Sequence, residues 1–169
     1  MRSIKRWTKV LLCIVLALVL LVGAYVVYVF AAYHRIGDQV LTPGGTAATQ
    51  SAAAGQSYQV TSYNIGFGAY ESDYGFFMDG GTESRAWSKE RLNRNLNSIA
   101  VFLKEQRSDF YLLQEVDIDA TRSYHVDERQ PLYQALEGMC HVFAQNYDSP
   151  FLFFPPWEPH GANQAGIVT

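Results

Sequence analysis

Cysteine is scarce in this chain of 169 residues, which contains only Cys13 and Cys140. Cys13 lies in an uncharged apolar run, so Cys140 is the only thiol in the rest of the chain. This excludes an intrachain disulfide as a covalent link within the folded part. The stability of that part must come from core packing or from a bound metal.

Charge is absent from residues 10–33, a run of 24 residues. At about 1.5 Å per residue, a helix of this length reaches about 36 Å and exceeds a hydrocarbon core of about 30 Å. The run therefore predicts a transmembrane helix in contact with the lipid bilayer. Residues 29–31 loosely fit a signal-peptidase site, but the run is longer than the roughly 7 to 15 residues of a signal-peptide core. We therefore favour an uncleaved signal-anchor.

Positive charge precedes this run, at Arg2, Lys5, Arg6 and Lys9. Arg35 is the only fixed positive charge in the thirty residues after the run. By the positive-inside rule, residues 1–9 are a cytoplasmic basic segment and the chain after the anchor is extracytoplasmic. The sequence thus predicts a single-pass protein of the cell membrane.

Positive charge is also sparse after the anchor, where residues 35–169 carry 9 basic and 16 acidic side chains, a net charge of −7. This balance argues against a surface that binds nucleic acid nonspecifically. The length of about 135 residues leaves room for one modest domain. Large apolar residues are almost absent from residues 34–57, so we expect a flexible linker there and a folded domain over residues 58–169.

The domain begins with an α/β pattern. Residues 58–65 alternate apolar and polar and predict a strand that ends at Gly66 and Gly68, before an aromatic-rich loop over residues 67–83. Apolar residues then recur at helical spacing, which predicts an amphipathic helix over residues 89–106 with Ser88 as its N-cap. Residues 110–114 predict a buried strand. Strand, helix and strand in this order indicate an α/β unit.

The rest of the domain predicts shorter elements. Residues 117–129 are polar and predict a loop, and residues 131–137 predict a short helix with Pro131 in its first turn. The remaining strands are expected over residues 141–145, 151–154 and 165–169.

Two polar side chains stand at the ends of neighbouring predicted strands, Asn64 and Glu115. Ligand sites gather at strand ends in open sheets. An amide oxygen and a carboxylate suit a hard cation such as Mg²⁺, which keeps waters for its substrate. Taken alone this signal is weak, because an Asn at a strand end is more often a turn former and a Glu there is usually solvated.

The sequence motifs around Asn64 and Glu115 resemble those of a known family. Residues 60–65, V-T-S-Y-N-I, and residues 108–117, S-D-F-Y-L-L-Q-E-V-D, are similar to the opening half of the endonuclease/exonuclease/phosphatase superfamily, with its deoxyribonuclease I-like fold. Residues 158–163, E-P-H-G-A-N, also look like a stretch of its members. The resemblance covers residues 58–169. It implies the N-terminal half of a four-layer α/β sandwich, with Asn64 and Glu115 as ligands of a catalytic divalent metal.

The function that the resemblance implies is metal-assisted hydrolysis of phosphoester bonds. Mg²⁺ is the expected cofactor, with Mn²⁺ or Ca²⁺ as alternatives. The family's G-D-x-N and S-D-H elements, which supply further catalytic residues, are not found in these 169 residues. We therefore assign no catalytic residue within the chain, and we expect this polypeptide to be an inactive fragment of a longer enzyme.

Three functions remain open from the sequence. A membrane-anchored extracytoplasmic phosphodiesterase of nuclease type is the first, with a nucleic acid as its substrate. A sphingomyelinase-like phosphodiesterase that cleaves phospholipid headgroups is the second, because a bilayer anchor concentrates the enzyme at its substrate. A noncatalytic anchored binding module is the third, and it predicts no dependence on metal. The sequence indicates no protein partner.

Further side chains are weaker candidates for this site. Arg122 could grip a substrate phosphate with paired N–H donors or could simply be solvated, and we hold the two alternatives as even. His160 is a candidate substrate-binding residue in a proline-rich loop. His125 has no evident carboxylate partner and is expected at the surface. Asp79 could add an acidic group near the site or simply make a turn, and we favour the turn. The rings expected to serve packing rather than base stacking are Phe76, Phe77 and Trp87.

Overall fold

The structure, a computed structural model, describes residues 2–46 and 51–169 and divides into two compact units between Tyr33 and His34. Part of the predicted linker, residues 47–50, lies outside the described residues, as does the first residue of the predicted cytoplasmic segment.

The first unit is a single helix, α1 (Arg2–Ala32). It begins eight residues before the predicted span, because Lys and Arg are good helix formers and nothing in the basic segment ends the helix. The part Lys5–Ala32 contains an 18-residue window with a mean hydropathy of 3.2, long and apolar enough to cross a membrane. A signal sequence near an N-terminus has the same properties, so the helix by itself does not distinguish the two.

The described residues of the second unit form two sheets, two further α-helices and three short 3-10 helices. The strands are β1 (Gly44–Gly45), β2 (Val60–Asn64), β3 (Phe110–Ala120), β4 (Cys140–His141), β5 (Phe143–Leu152) and β6 (Gly161–Val168), and the helices are α2 (Lys89–Gln106) and α3 (Arg129–Ala135). The larger sheet has the order β2-β3-β6-β5. β2 and β3 are parallel, whereas the other neighbours in this sheet are antiparallel. This architecture confirms the mixed α/β class.

Helix α2 has the predicted bounds and connects the two parallel strands. The Ser88 hydroxyl accepts a hydrogen bond from Arg91 N at 3.2 Å, as expected of an N-cap. The apolar face of the helix supplies Leu92, Leu96 and Leu103, all buried. These side chains join the buried residues of one sheet face in a single core that also contains Tyr111, Leu113, Val116 and Val168.

The opposite face of the β2–β3 pair is uncovered. Val60, Phe110 and Leu112 remain exposed on this face, although they alternate with core residues along the two strands. Apolar side chains in a row on a sheet face normally pack against another layer. The second unit therefore presents an apolar sheet surface without a packed layer among the described residues.

Strand β3 is longer than the sequence predicts. It continues to Ala120 and pairs with β6 through Asp117↔Ala165 and Ala120↔Asn163. The prediction of a polar loop from residue 117 was therefore wrong over its first four residues. The polar pattern was misleading because Asp117 is completely buried, with an ion-pair partner that lies further along the chain.

Other boundaries also differ from prediction. The separate strands expected over residues 141–145 and 151–154 are largely one strand, β5, and the last strand begins at Gly161 instead of residue 165. Helix α3 begins two residues early, so Pro131 is its third residue. These strands are fixed by their long antiparallel pairing with each other, which local sequence patterns do not reveal.

A short part of the predicted linker is paired with the domain. β1 is antiparallel to β4, and Thr46 N donates to Met139 O at 3.2 Å. Gly45 has a φ of 74°, and a Cβ on it would lie 2.5 Å from the Met139 carbonyl oxygen, so the close pairing requires glycine at this position. The described linker residues on either side of the gap at 47–50 contain no other helix or strand.

Candidate functional site

Asn64 and Glu115 meet at the carboxyl end of β2, as the sequence predicts. Asn64 is aligned with Gln114 in the parallel β2–β3 ladder, so Glu115 lies one residue beyond the last pair. Asn64 Nδ2 donates to Glu115 Oε1 at 2.8 Å. Two residues 51 positions apart in sequence therefore form one polar group at the edge of the sheet.

The backbone at Glu115 explains how this side chain leaves the regular strand. The register of β3 against β6 shifts between Leu113 and Val116, which marks a β-bulge. Glu115 has a φ of 55°, in the left-handed region that residues with a side chain rarely adopt. Such strained backbone is concentrated at functional sites.

The turn after Asn64 shapes the other side of the group. Asn64 Oδ1 accepts a hydrogen bond from Gly66 N at 2.9 Å. Asn64 therefore also stabilises the turn, which is the usual role of an Asn at a strand end. Gly66 has a φ of 55°, and a Cβ on it would lie 2.4 Å from the Tyr70 ring. The absence of a side chain at Gly66 leaves room for the Tyr70 ring beside the end of β2.

A cavity of about 670 Å³ opens beside Asn64 and Glu115. Asp79, which the sequence analysis expected in a turn, lines it, and Gly80 with a φ of 89° does make that turn. Tyr70 Oη donates to Asp79 Oδ2 at 2.6 Å. The full lining is Tyr63, Asn64, Ile65, Gly66, Tyr70, Asp79, Asn95, Ser98, Ile99, Phe102 and Glu115.

The charge of this cavity favours a cation. Its lining contains the carboxylates of Asp79 and Glu115 and no Lys or Arg side chain. Burial and the hydrogen bond to Asp79 raise the pKa of Tyr70, and the charge of Glu115 raises it further, so Tyr70 stays a neutral donor. Two carboxylates without a basic partner in the lining create a negative potential that a bound cation would offset.

A second cavity of about 470 Å³ shares Asn64, Tyr70, Asp79 and Glu115 with the first. It adds the two predicted substrate-binding residues, Arg122 and His160. The structure thus brings Arg122 and His160 to the same region as the predicted metal ligands.

Arg122, for which the sequence leaves a phosphate grip and a solvated position as even alternatives, is buried and already paired. Its Nε and Nη2 atoms donate to the two carboxylate oxygens of Asp117 at 3.0 and 2.8 Å. Its guanidinium also lies 4.1 Å from the centre of the Phe67 ring. Asp117 occupies the donors that the sequence analysis considered for a substrate phosphate, because β3 continues past Glu115 and carries Asp117 into the interior.

A second buried acid, Glu128, was missed by the sequence analysis. Glu128 Oε2 accepts a hydrogen bond from Asp117 N at 2.9 Å, whereas Oε1 is buried with no partner among the described residues. Burial raises the pKa of Glu128 well above its ordinary value, and the neighbouring charge of Asp117 adds to this effect. In the sequence, Glu128 is one acid in a polar stretch, and nothing local marks it as buried.

His160 is buried, and its imidazole ring is uncharged. Burial lowers the pKa of His160, and the charge of Arg122 lowers it further. Its Nδ1 lies 3.1 Å from the carbonyl oxygen of Ser84, and since a carbonyl only accepts, Nδ1 carries the proton. Its ring therefore lines the second cavity as an uncharged group held in place by the backbone.

The remaining candidates lie where packing and solvent exposure account for them. His125 is at the surface as expected, but it does have a carboxylate partner, Asp119, itself exposed. Trp87 packs edge-on against Tyr74, and Arg91 lies over its ring. Phe76 is buried in the core.

The oxygen atoms of Glu115 and Asn64 supply part of the coordination shell that a hard cation needs. Within residues 2–46 and 51–169, no three His, Cys, Asp or Glu side chains form a metal-binding group. Mg²⁺ needs only one or two carboxylates, since waters and substrate phosphates complete its shell. Glu115 Oε2 has no hydrogen-bond partner in the described part of the chain. Asn64 presents its amide nitrogen to Glu115, so ligation by its oxygen requires this amide to rotate.

No family model matches the chain, and no curated protein or solved structure matches it either. The likeness to the endonuclease/exonuclease/phosphatase superfamily stays a prediction from the quoted motifs.

Proposed function

We propose that this chain belongs to a membrane-anchored, extracytoplasmic phosphoesterase that depends on a divalent cation, with phosphodiester hydrolysis of nuclease type as its reaction. The observation that supports it is the contact between Asn64 and Glu115 at a strand end, beside an acidic cavity. The two side chains meet although they lie 51 positions apart in sequence, and a shared cation needs such proximity, with the Asn64 amide rotated so that its oxygen faces the cation.

Glu115 and Asn64 would hold the cation in this proposal. When bound, Mg²⁺ polarises a phosphoryl oxygen and offsets the negative charge that grows during in-line displacement. Asp79 lies across the same cavity, and Tyr70 fixes its orientation with a hydrogen bond. The buried Arg122–Asp117 pair holds the wall of the second cavity in place.

The uncovered face of the β2–β3 pair supports the finer proposal of a four-layer α/β sandwich. Helices pack on one face of the larger sheet, whereas Val60, Phe110 and Leu112 are exposed on the other. A second sheet on that face, with its own helices outside, would give the four layers. In this proposal the described domain is the N-terminal half of such a sandwich.

The orientation of the protein in the membrane is also part of the proposal. Positive charge lies at the N-terminal side of the apolar helix, which by the positive-inside rule places the second unit outside the cytoplasm.

A lipid phosphodiesterase of the sphingomyelinase type is the second candidate function. The apolar helix favours it, because an enzyme held at a bilayer meets lipid headgroups at high effective concentration. The net charge of −7 after the anchor also disfavours strong nonspecific affinity for DNA.

Cation binding by the full chain in nanodiscs tests the proposal. Titration with Mn²⁺, followed by calorimetry and by electron paramagnetic resonance, is expected to show one site that Mg²⁺ competes for. Mutation of a residue that only hydrogen-bonds to a metal ligand typically lowers the affinity for the metal by about 10- to 100-fold. Glu115→Gln is therefore expected to weaken binding by at least that factor.

Glu105→Gln is the matched control, because it removes the same charge from an exposed position on α2. Equal Mn²⁺ affinity in the two variants would contradict the proposal. It would favour the noncatalytic binding module instead. For a longer parent protein that carries the G-D-x-N and S-D-H elements, hydrolysis of DNA, sphingomyelin and a chromogenic phosphodiester, each with and without chelator, separates the substrates.

A further inference from the structure

A cluster of exposed aromatic side chains lies at the end of strand β5 and in the loop after it. Residues 151–157, which we call the aromatic segment, have the sequence F-L-F-F-P-P-W. Phe154 and Trp157 are 61% and 69% exposed, and Phe151 and Phe153 are exposed as well. Isolated exposed apolar residues are ordinary, but several large rings in seven residues form a patch that calls for an explanation.

The aromatic segment is held in a defined position. The Phe154 ring lies 5.7 Å from the Phe77 ring and 6.2 Å from the Trp157 ring, measured between centroids. Pro155 between them is fully buried. The Ser84 hydroxyl donates to the carbonyl oxygen of Glu158 directly after the segment. The segment thus presents its rings to solvent from an anchored loop.

The aromatic segment also lacks exposed charge. Residues 149–157 contain no charged side chain, and the first one after them, Glu158, is turned inward. Glu158 Oε2 accepts hydrogen bonds from Ser84 N and Ser84 Oγ at 3.2 and 3.1 Å. Large rings in a stretch without charged residues suit the membrane interface, where Trp and other aromatic residues are enriched.

A contact of a residue just after the apolar helix in sequence indicates which kind of partner binds the aromatic segment. His34, the second residue after α1, forms a hydrogen bond from its Nδ1 position with Asp148 Oδ2 at 2.8 Å. Asp148 lies on β5, three residues before the aromatic segment. A residue only two positions after the apolar helix in sequence is therefore bonded to the strand that carries the first of the exposed rings. A lipid surface is the partner that this continuity favours over a soluble protein.

We propose that the aromatic segment is a second membrane contact of this chain, in which Phe154 and Trp157 insert into the lipid interface. The contact would fix the domain against the bilayer instead of leaving it free on its linker. It stands on the exposure, the absent charge and the His34–Asp148 contact, and it does not require the proposed enzymatic activity.

The segment also lies next to the candidate site. Phe77 contacts both Phe154 and His160, with ring centroids 5.7 Å apart in each case, and His160 lines the second cavity. Insertion would bring the mouth of this cavity close to lipid headgroups. This consequence rests on the proposed function and deepens it toward a lipid phosphoester substrate.

Tryptophan fluorescence of the full chain in nanodiscs tests the contact. The chain contains Trp7, Trp87 and Trp157, so Trp7→Phe with Trp87→Phe leaves Trp157 as the only emitter. Its emission is expected to be blue-shifted and to lose most of its intensity when the lipids carry bromine on their acyl chains. Phe154→Ser in the same background is expected to reduce both effects, and because Phe154 is exposed, near-ultraviolet circular dichroism should stay unchanged.

The matched control keeps a different tryptophan. Trp7→Phe with Trp157→Phe leaves Trp87, which packs edge-on against Tyr74 and is not part of the segment, and brominated lipid is expected to quench its emission much less than that of Trp157. Solvent-like Trp157 emission that ignores brominated lipid would overturn the proposal. Unquenched emission together with Phe154-dependent cross-linking between two chains in one nanodisc would overturn it in favour of a second copy as the partner. Since cation binding by Glu115 is measured separately, failure here leaves the proposed function untouched.

Discussion

Glu115 and Asp117 are two residues apart on the same strand, yet they differ in burial and in their hydrogen-bond partners. Glu115 is partly exposed, lies on a bulge with left-handed backbone and keeps one oxygen without a partner in the described chain. Asp117 is completely buried, and both its oxygens accept from Arg122. A carboxylate in a buried network stabilises the fold only as long as its partners stay in place. An accessible carboxylate held in strained backbone adds little stability and is available to a ligand.

The largest expected effect comes from breaking the buried pair. Arg122→Ala leaves Asp117 without its partner in the interior, next to the buried Glu128. Removal of one partner from a buried ion pair costs about 3–5 kcal/mol. Denaturant unfolding of the full chain in detergent, followed by near-ultraviolet circular dichroism, measures this loss. A loss below about 1 kcal/mol, the size typical of exposed pairs, would remove the distinction between the two carboxylates.

The next effect is a change in pH dependence at Glu128. Its folded pKa is raised, so above the ordinary value of 4.5 the unfolded chain ionises while the folded chain resists ionisation. Stability from this group is therefore fully present below that value and is lost as pH rises through the folded pKa. Glu128→Gln, which stays neutral, is expected to flatten this decline.

Unfolding midpoints of the wild type and of Glu128→Gln, compared at about pH 5 and about pH 8, show the difference. The effects of titrating groups that do not interact with Glu128 are common to both chains and cancel. Parallel pH profiles would mean that Glu128 is ionised in the folded protein and that Arg122 compensates both acids.

The smallest expected effect concerns stability at Glu115 itself. Glu115→Ala is expected to change the free energy of unfolding by no more than about 1 kcal/mol, since no buried network is broken. Glu115→Gly should be more stable than Glu115→Ala by up to about 1–2 kcal/mol, because glycine adopts left-handed backbone without steric cost. Denaturant unfolding of both variants measures the difference. A large loss in Glu115→Ala would show that Glu115, like Asp117, is a structural residue.

Local patterns predicted the elements that depend on neighbours in sequence. Helix α2 was predicted from apolar spacing and from the Ser88 cap, which act within a few residues. The meeting of Asn64 and Glu115 was also predictable, because two strands joined by one helix place their carboxyl ends together. The extent of β3 was not predictable, because its second half is held by pairing with β6, more than forty residues away.

The sequence by itself determined the uncharged run that forms α1, the strand–helix–strand order and the polar residues at the strand ends. Only the tertiary structure decided which charges are available for chemistry. Arg122 and Glu128 are ordinary polar residues in the chain and become buried because β3 continues past its bulge and carries Asp117 inside. Burial depends on contacts between distant segments, and it places Arg122 in an internal ion pair with Asp117 while leaving Glu115 at the cavity.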